Sequence, residues 1–244
     1  MEQITNLLDI YCLNFTYDTE EKNERRKQME KKFNHFQLPV NFYSGVKETD
    51  ERISFVQNDN MRRTWSICYG HLDMMNHFVY NSKKEYMILC EDDIIIHKDF
   101  TEKLPLAINV MKTHNLDILL LGYLCSNPVD TYSNFPQIKT EHSSDTFKVL
   151  EYIEETWGAQ MFIITKTHAI RMLSKYYNDY SIKTLSNSSM TPFSSDWLLT
   201  KDGKRALVYP LLVLENGHSD YEDEGQRNNR INCFHFSYRE NTFI

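Results

Sequence analysis

Between Glu85 and Phe100 the chain reads EYMILCEDDIIIHKDF, and this stretch constrains the fold more than any other. Met87-Ile88-Leu89-Cys90 is a short apolar run without alternation, the pattern of a strand buried on both faces. Three acids follow at once, Glu91, Asp92 and Asp93, and a second apolar run resumes at Ile94-Ile95-Ile96. Unpaired carboxylates at the mouth of a core strand are costly to bury, so these three require a counter-charge or water. A hard divalent cation with oxygen ligands, Mg2+ or Mn2+, is one solution, and a solvated acidic turn is the other. In open α/β sheets ligands bind beyond the carboxyl ends of the strands, where these acids would stand.

The segments around this stretch alternate between strand and helix patterns. Ile10 to Phe15 reads as a strand, and Glu20 to Phe36 as an amphipathic helix with Met29, Phe33 and Phe36 on one side. Val40 to Val46 reads as a second strand, and Arg62 to Tyr80 as a helix carrying Leu72, Met75 and Val79. After the acids, Thr101 to His114 is a helix with Thr101 as N-cap and Pro105 near its start. Ile118 to Tyr123 is a strongly apolar strand. Further strands are expected at Phe147 to Ile153, Met161 to Thr165 and Leu207 to Leu214. Thr167 to Tyr177 reads as a helix, with Ile170, Leu173 and Tyr177 aligned. Asp196 opens another, with Ser194 or Ser195 as its cap. The stretches Ser126 to Ser144 and Ser186 to Ser195, and the tail after Glu215, are polar and read as irregular. Strands alternating with helices predict an α/β domain with a mixed, mostly parallel sheet flanked by helices, and no internal boundary divides residues 1–244.

Several function classes fall away on composition. A net charge of -7 argues against a nucleic-acid surface. The seven glycines form neither a GxGxxG turn nor a phosphate-cradling P-loop, so a bound diphosphate would be held by metal and basic side chains. The five cysteines are scattered without a CxxC pair, which predicts buried free thiols and a reducing compartment. No apolar run reaches the length of a membrane span and no signal-peptide pattern opens the chain, so a cytoplasmic location is expected.

Several of these pieces, in this order, resemble glycosyltransferase family 25, the lipopolysaccharide-biosynthesis and procollagen galactosyltransferase-like group. The strand YCLNF and the following ERRKQM are similar to the family's opening, and Ser66 to Leu72, SICYGHL, to its second motif, with Gly70 where the family commonly has Ser. MILCEDDIIIHKDF resembles its strand and diacid motif, and Trp157 to Ile164, WGAQMFII, a later strand. Ser195-Asp196 and His218-Ser219-Asp220 resemble its C-terminal signatures. The likeness covers most of the chain but neither Ser126 to Ser144 nor Asn178 to Ser194. Similar sequences occur in bacteria, animals and large DNA viruses, and in a viral setting the compartment would be the host cytoplasm.

The resemblance implies a GT-A-like, Rossmann-like fold and a UDP-linked sugar donor. It also implies transfer of a hexosyl unit to a hydroxyl acceptor of glycan, lipopolysaccharide or hydroxylysine type. Asp92, Asp93 and His218 would hold Mn2+ (or Mg2+), and Asn14, Arg25, Arg26, His71, Glu91 and Asp92 would line the donor. Asp196 would serve as the base that an inverting displacement requires. Each residue also has a structural alternative: a solvated helix face for Arg25 and Arg26, a core histidine for His71, a helix-dipole acid for Asp196. Two other functions fit the same acids, a nucleotide-sugar-binding module without turnover and a metal-dependent phosphohydrolase.

Overall fold

The computed structural model describes residues 2–15, 20–124, 135–141, 143–154, 156–216 and 223–244. The chain opens on a short helix α1 (Glu2–Leu7) and runs straight into β1 (Leu8–Leu13). Then follow α2 (Glu20–His35), β2 (Asn41–Tyr43), α3 (Asp59–Asn81), β3 (Tyr86–Glu91), β4 (Ile94–Ile96), α4 (Phe100–His114) and β5 (Ile118–Leu124). The second half adds β6 (Gln137–Ile138), β7 (Lys148–Glu151), β8 (Trp157–Thr165), α5 (Lys166–Tyr176), α6 (Tyr180–Ser186) and α7 (Ser195–Leu198). It closes with β9 (Arg205–Tyr209), β10 (Val213–Glu215) and α8 (Glu224–Ser237).

Eight strands form one sheet in the order β2-β1-β3-β8-β5-β9-β7-β6. β2, β1 and β3 pair in parallel, and β8 lies antiparallel between β3 and β5. β9 is parallel to β5, while β7 and β6 close the edge antiparallel. Following these pairings, β7 and β8 run one way and the other six strands the opposite way. This is the mixed, mostly parallel sheet flanked by helices that the alternation of elements predicts.

Period-2 geometry divides the apolar strand residues between two cores. Tyr11, Leu13, Met87, Leu89, Ile118, Leu120, Phe162 and Ile164 pack with Trp65, Tyr69 and Leu72 of α3 and with Ala169 and Met172 of α5. Ile10, Cys12, Ile88, Cys90, Leu119, Leu121, Met161 and Ile163 face Met29 and Phe33 of α2 and Phe100, Leu104 and Met111 of α4. Both faces of β3 are thus covered, which is why its sequence does not alternate. Cys12, Cys68, Cys90 and Cys233 are buried free thiols, while Cys125 lies outside the described residues. Among the described residues no helix is long and apolar enough to cross a membrane.

Several expectations need correction. Asp99, not Thr101, stands at the N-cap of α4, and the strand expected over Val40 to Val46 shrinks to three residues. In α5 the buried residues are His168, Ala169, Met172 and Tyr176, whereas Ile170 is half exposed, so the face is rotated from the one expected. The run Leu207 to Leu214 is two strands in two sheets. Pro210 lacks the N–H that continued pairing needs, and beyond it β10 leaves the main sheet to pair antiparallel with β4. Helix α8 occupies part of the tail read as irregular, and α6 lies in a stretch to which the sequence reading assigns no element.

The crossing of β10 over β5 depends on one glycine. A β carbon at Gly122 would fall 2.8 Å from the Val213 carbonyl oxygen and 2.9 Å from Val213 Cβ. Both are positions the neighbouring backbone fixes, since the Leu212 N–H donates to the Leu121 carbonyl at 2.9 Å. Gly122→Ala is therefore expected to overpack the crossing by about 1–3 kcal/mol. Scanning calorimetry should show the melting temperature lower by roughly 3–10 °C.

Candidate active site

The acids of the EDD triplet sit where β3 leaves the sheet. Glu91 ends the strand, Asp92 and Asp93 make the turn, and Ile94 begins β4. Glu91 continues the row of Met87 and Leu89 toward α3, which brings its Oε1 to 3.7 Å from His71 Nε2. β4 pairs with β10 so that Ile94 stands opposite Glu215, and the Asn216 N–H donates to the Asp93 carbonyl at 2.6 Å. A fourth carboxylate, Glu215, thereby joins the turn from 122 positions after Asp93 in the chain. Asp196, in the first turn of α7, is the fifth, since its charge acts on Glu91 and on His71.

Asp92 is held from β1 and α2. Asn14, which follows β1 and is buried, donates from Nδ2 to Asp92 Oδ2 at 2.5 Å. Arg25 Nη1 stands 3.8 Å from Asp92 Oδ1. Arg26, one position on, faces away: it pairs with Glu30 at 2.9 Å and lies over the Phe42 ring. Asp93 is less well satisfied, because its Oδ1 is buried without a hydrogen-bond partner. Lys32 is half-buried nearby, and its ammonium donates to the Ile94 carbonyl at 2.6 Å. Glu215 accepts from Gln160 Nε2 at 3.2 Å and is ion-paired to Arg230 of α8. Gly158, at φ +103, allows that arrangement, since a β carbon there would lie 2.3 Å from Gln160 Oε1.

The cations do not fully offset this charge. Burial, then Asp196 and Glu215, pushes the Glu91 carboxyl up to about 8, against the opposing pull of Arg230. Asp93 is raised well above the usual carboxylate range by burial and by Glu91, Glu215 and Asp92, with Arg25 opposing. Burial also raises Asp196, with Glu215 adding to the rise and Arg230, His71 and Lys201 opposing it. His71 is fully buried, stacked on Phe162, with neither ring nitrogen hydrogen-bonded, and burial lowers it to about 4. His71 therefore stands beneath Glu91 as a neutral ring.

Folded Glu91 keeps its proton to about pH 8, whereas an unfolded glutamate loses it near 4.5. Between those values the folded chain binds more protons, so stability falls as pH rises. His71 has the opposite effect between about pH 4 and 6.5, where the unfolded chain binds more protons and stability rises with pH. The interval from pH 6.5 to 8 therefore isolates the acids. In EDTA the wild-type melting temperature is expected to fall across it, and Glu91→Gln to fall less steeply.

The structure brings together Asn14, Arg25, Glu91, Asp92 and Asp93, with His71 beside Glu91 and Asp196 within electrostatic reach of both, and leaves Arg26 outside. His218 lies outside the described residues, as do Glu155 and Asp220, the acids next in line to Asp196 as the base. Glu215, Arg230, Gln160 and Lys32 are site residues that the sequence reading missed. Among the described residues no three His, Cys, Asp or Glu side chains converge as a metal-binding group. The donor chemistry nevertheless fits a hard cation, because Asp93 Oδ1 and Glu215 Oε1 are buried carboxylate oxygens without hydrogen-bond partners. Such a cation commonly takes one or two carboxylates and completes its shell with substrate phosphates and water.

No family model matches the chain, and no curated protein matches it. Among solved structures it is similar to a mannose-1-phosphate geranyltransferase from Thermus thermophilus, at 9% identity and TM-score 0.45, over 82% of this chain and 73% of that one. It is also similar to a glycosyltransferase involved in glycosylation of the major capsid of PBCV-1, at 10% identity and TM-score 0.41, over 91% and 98%. A third likeness is to HddC from Yersinia pseudotuberculosis, at 10% identity and TM-score 0.40, over 85% and 92%. At these scores the likenesses bear on neither family nor activity.

Proposed function

We propose that the chain is a metal-dependent, inverting glycosyltransferase that moves a hexosyl unit from a UDP-sugar to a hydroxyl of a glycan or protein acceptor. The observation that carries this reading is the turn Glu91-Asp92-Asp93 at the carboxyl end of a central strand, with more negative charge than its own cations offset. Asp92 and Asp93 would hold Mn2+ or Mg2+, with Glu215 close enough in the fold to share its charge. When bound, the ion supplies Lewis-acid stabilisation of the charge that develops on the departing diphosphate. Arg25 and Asn14 fix the Asp92 carboxylate and so set where the diphosphate docks.

Asp196 is the general base. It takes the acceptor hydroxyl proton as the acceptor oxygen bonds to the anomeric carbon. The bond from that carbon to UDP breaks, and its electron pair leaves with UDP. A carboxylate raised toward neutrality by burial and by Glu215 is better matched to this task than an ordinary surface aspartate.

A panel of UDP-sugars screened by thermal shift with and without Mn2+, followed by assay of UDP release, tests the reading. One UDP-sugar should raise the melting temperature with Mn2+ present and release UDP slowly without acceptor. Rapid cleavage of phosphomonoester or phosphodiester model substrates would identify a hydrolase instead. UDP binding with no release under any acceptor would identify a binding module.

A further inference from the structure

A cavity of about 360 Å3 opens against α7, with Tyr176, Trp197, Lys201 and Asp202 in its lining. Trp197 directly follows Asp196 on that single helical turn and is 40% exposed. Its ring is nonetheless fixed. Trp157 meets it edge-on with centroids 4.5 Å apart, and the Lys201 ammonium stands 4.0 Å from the Trp157 centroid and 5.2 Å from that of Trp197. Asp202 is fixed as well, accepting from Lys175 Nζ at 2.6 Å and from the Tyr176 hydroxyl at 2.8 Å. The turn after it depends on Gly203, at φ +78, where a β carbon would lie 2.8 Å from His168 Cε1 and 2.9 Å from Asp117 Oδ2. An open indole, a carboxylate and two ammonium groups are thus held rigidly around one space.

The charges limit what can enter. Lys175 already neutralises Asp202, and Lys201 is engaged by the Glu154 carbonyl and the two indoles, so no uncompensated charge calls for an ion. A neutral ligand must offer a flat apolar face to the indole and hydroxyls to the charged groups, which a sugar ring does. A carboxylate that already accepts two hydrogen bonds retains lone pairs for another donor. Lys201 also links this space to the acid cluster, being one of the cations that act on Asp196.

We propose that this cavity is a saccharide-binding subsite for the acceptor, with Trp197 stacked on a sugar ring and Asp202 and Lys201 bonded to its hydroxyls. The inference rests on Asp196 as the base, and it narrows the acceptor from any hydroxyl compound to a glycan.

Saturation-transfer NMR with methyl glycosides of glucose, galactose, mannose and xylose, each added to the full chain, tests it. At least one glycoside should receive saturation, most strongly on the protons of one ring face. Trp197→Ala should weaken that binding about tenfold, as loss of one aromatic contact implies. Asp202→Asn, which keeps the shape of the turn, should weaken it also. No binding by any glycoside, or affinity unchanged in both variants, would overturn the proposal. UDP titrated into the same wild-type sample with Mn2+ reads the donor site separately. UDP bound without any glycoside would sink the saccharide site alone, and neither bound would sink the transferase reading with it.

Discussion

Asp93→Asn is expected to reduce sugar transfer by about 10²–10³-fold or more, the range lost when a charge stabiliser of the leaving group is removed. The substitution keeps the size of the side chain and deletes one negative charge from a turn that already holds too many. Its consequences for binding and folding therefore have opposite signs. UDP affinity in Mn2+ should fall, because an anionic oxygen that would hold the ion is gone. The melting temperature at pH 8 should hold or rise, because a carboxyl raised well above its usual range destabilises the fold when ionised. A variant that loses activity by unfolding would show the reverse, and circular dichroism melts on the assayed protein distinguish the two.

Asp196→Asn is expected to leave UDP-sugar affinity nearly intact while turnover at saturating substrates falls about 10²–10⁴-fold, the usual contribution of a general base. The alternative for an acid in the first turn of a helix is a favourable dipole contact, and losing that would cost about 1 kcal/mol with activity retained. The surroundings of Asp196 argue against it. α7 is one turn long, and burial and Glu215 raise the carboxyl. Asn at this position should accordingly raise the melting temperature at pH 8. A destabilised but fully active variant would move the base elsewhere, with Glu155 and Asp220 the next residues to replace.

How much of this was legible in the sequence depends on whether a residue's position follows from its own neighbours. β3 and its acids could be read because an unbroken apolar run and a charged triplet are local signals. Asn14 could be placed because it directly follows the apolar run of β1. Arg25 and Arg26 could not be separated. α2 is charged around most of its circumference, and one residue of helical rotation carries Arg25 to Asp92 and Arg26 to Glu30 and Phe42. Glu215 was invisible for a different reason. Its place beside the acids follows from Ile94 pairing with it across the small sheet, a contact that no local pattern encodes. Arg230 was hidden with it, since the first half of α8, EGQRNNR, is polar and Cys233 is the one buried residue of the helix. Trp197 and Asp202 carry no local signal of a site, and only the fold sets a cavity against them.

The proposed function requires the acids after β3 to bind a nucleotide diphosphate through a divalent cation. Calorimetric titration of UDP into the wild-type chain, once in Mn2+ and once in EDTA, tests it most directly. Saturable binding in Mn2+ is expected, weakening at least about tenfold in EDTA, a difference of about 1.4 kcal/mol or more. Equal UDP affinity in Mn2+ and EDTA would contradict it.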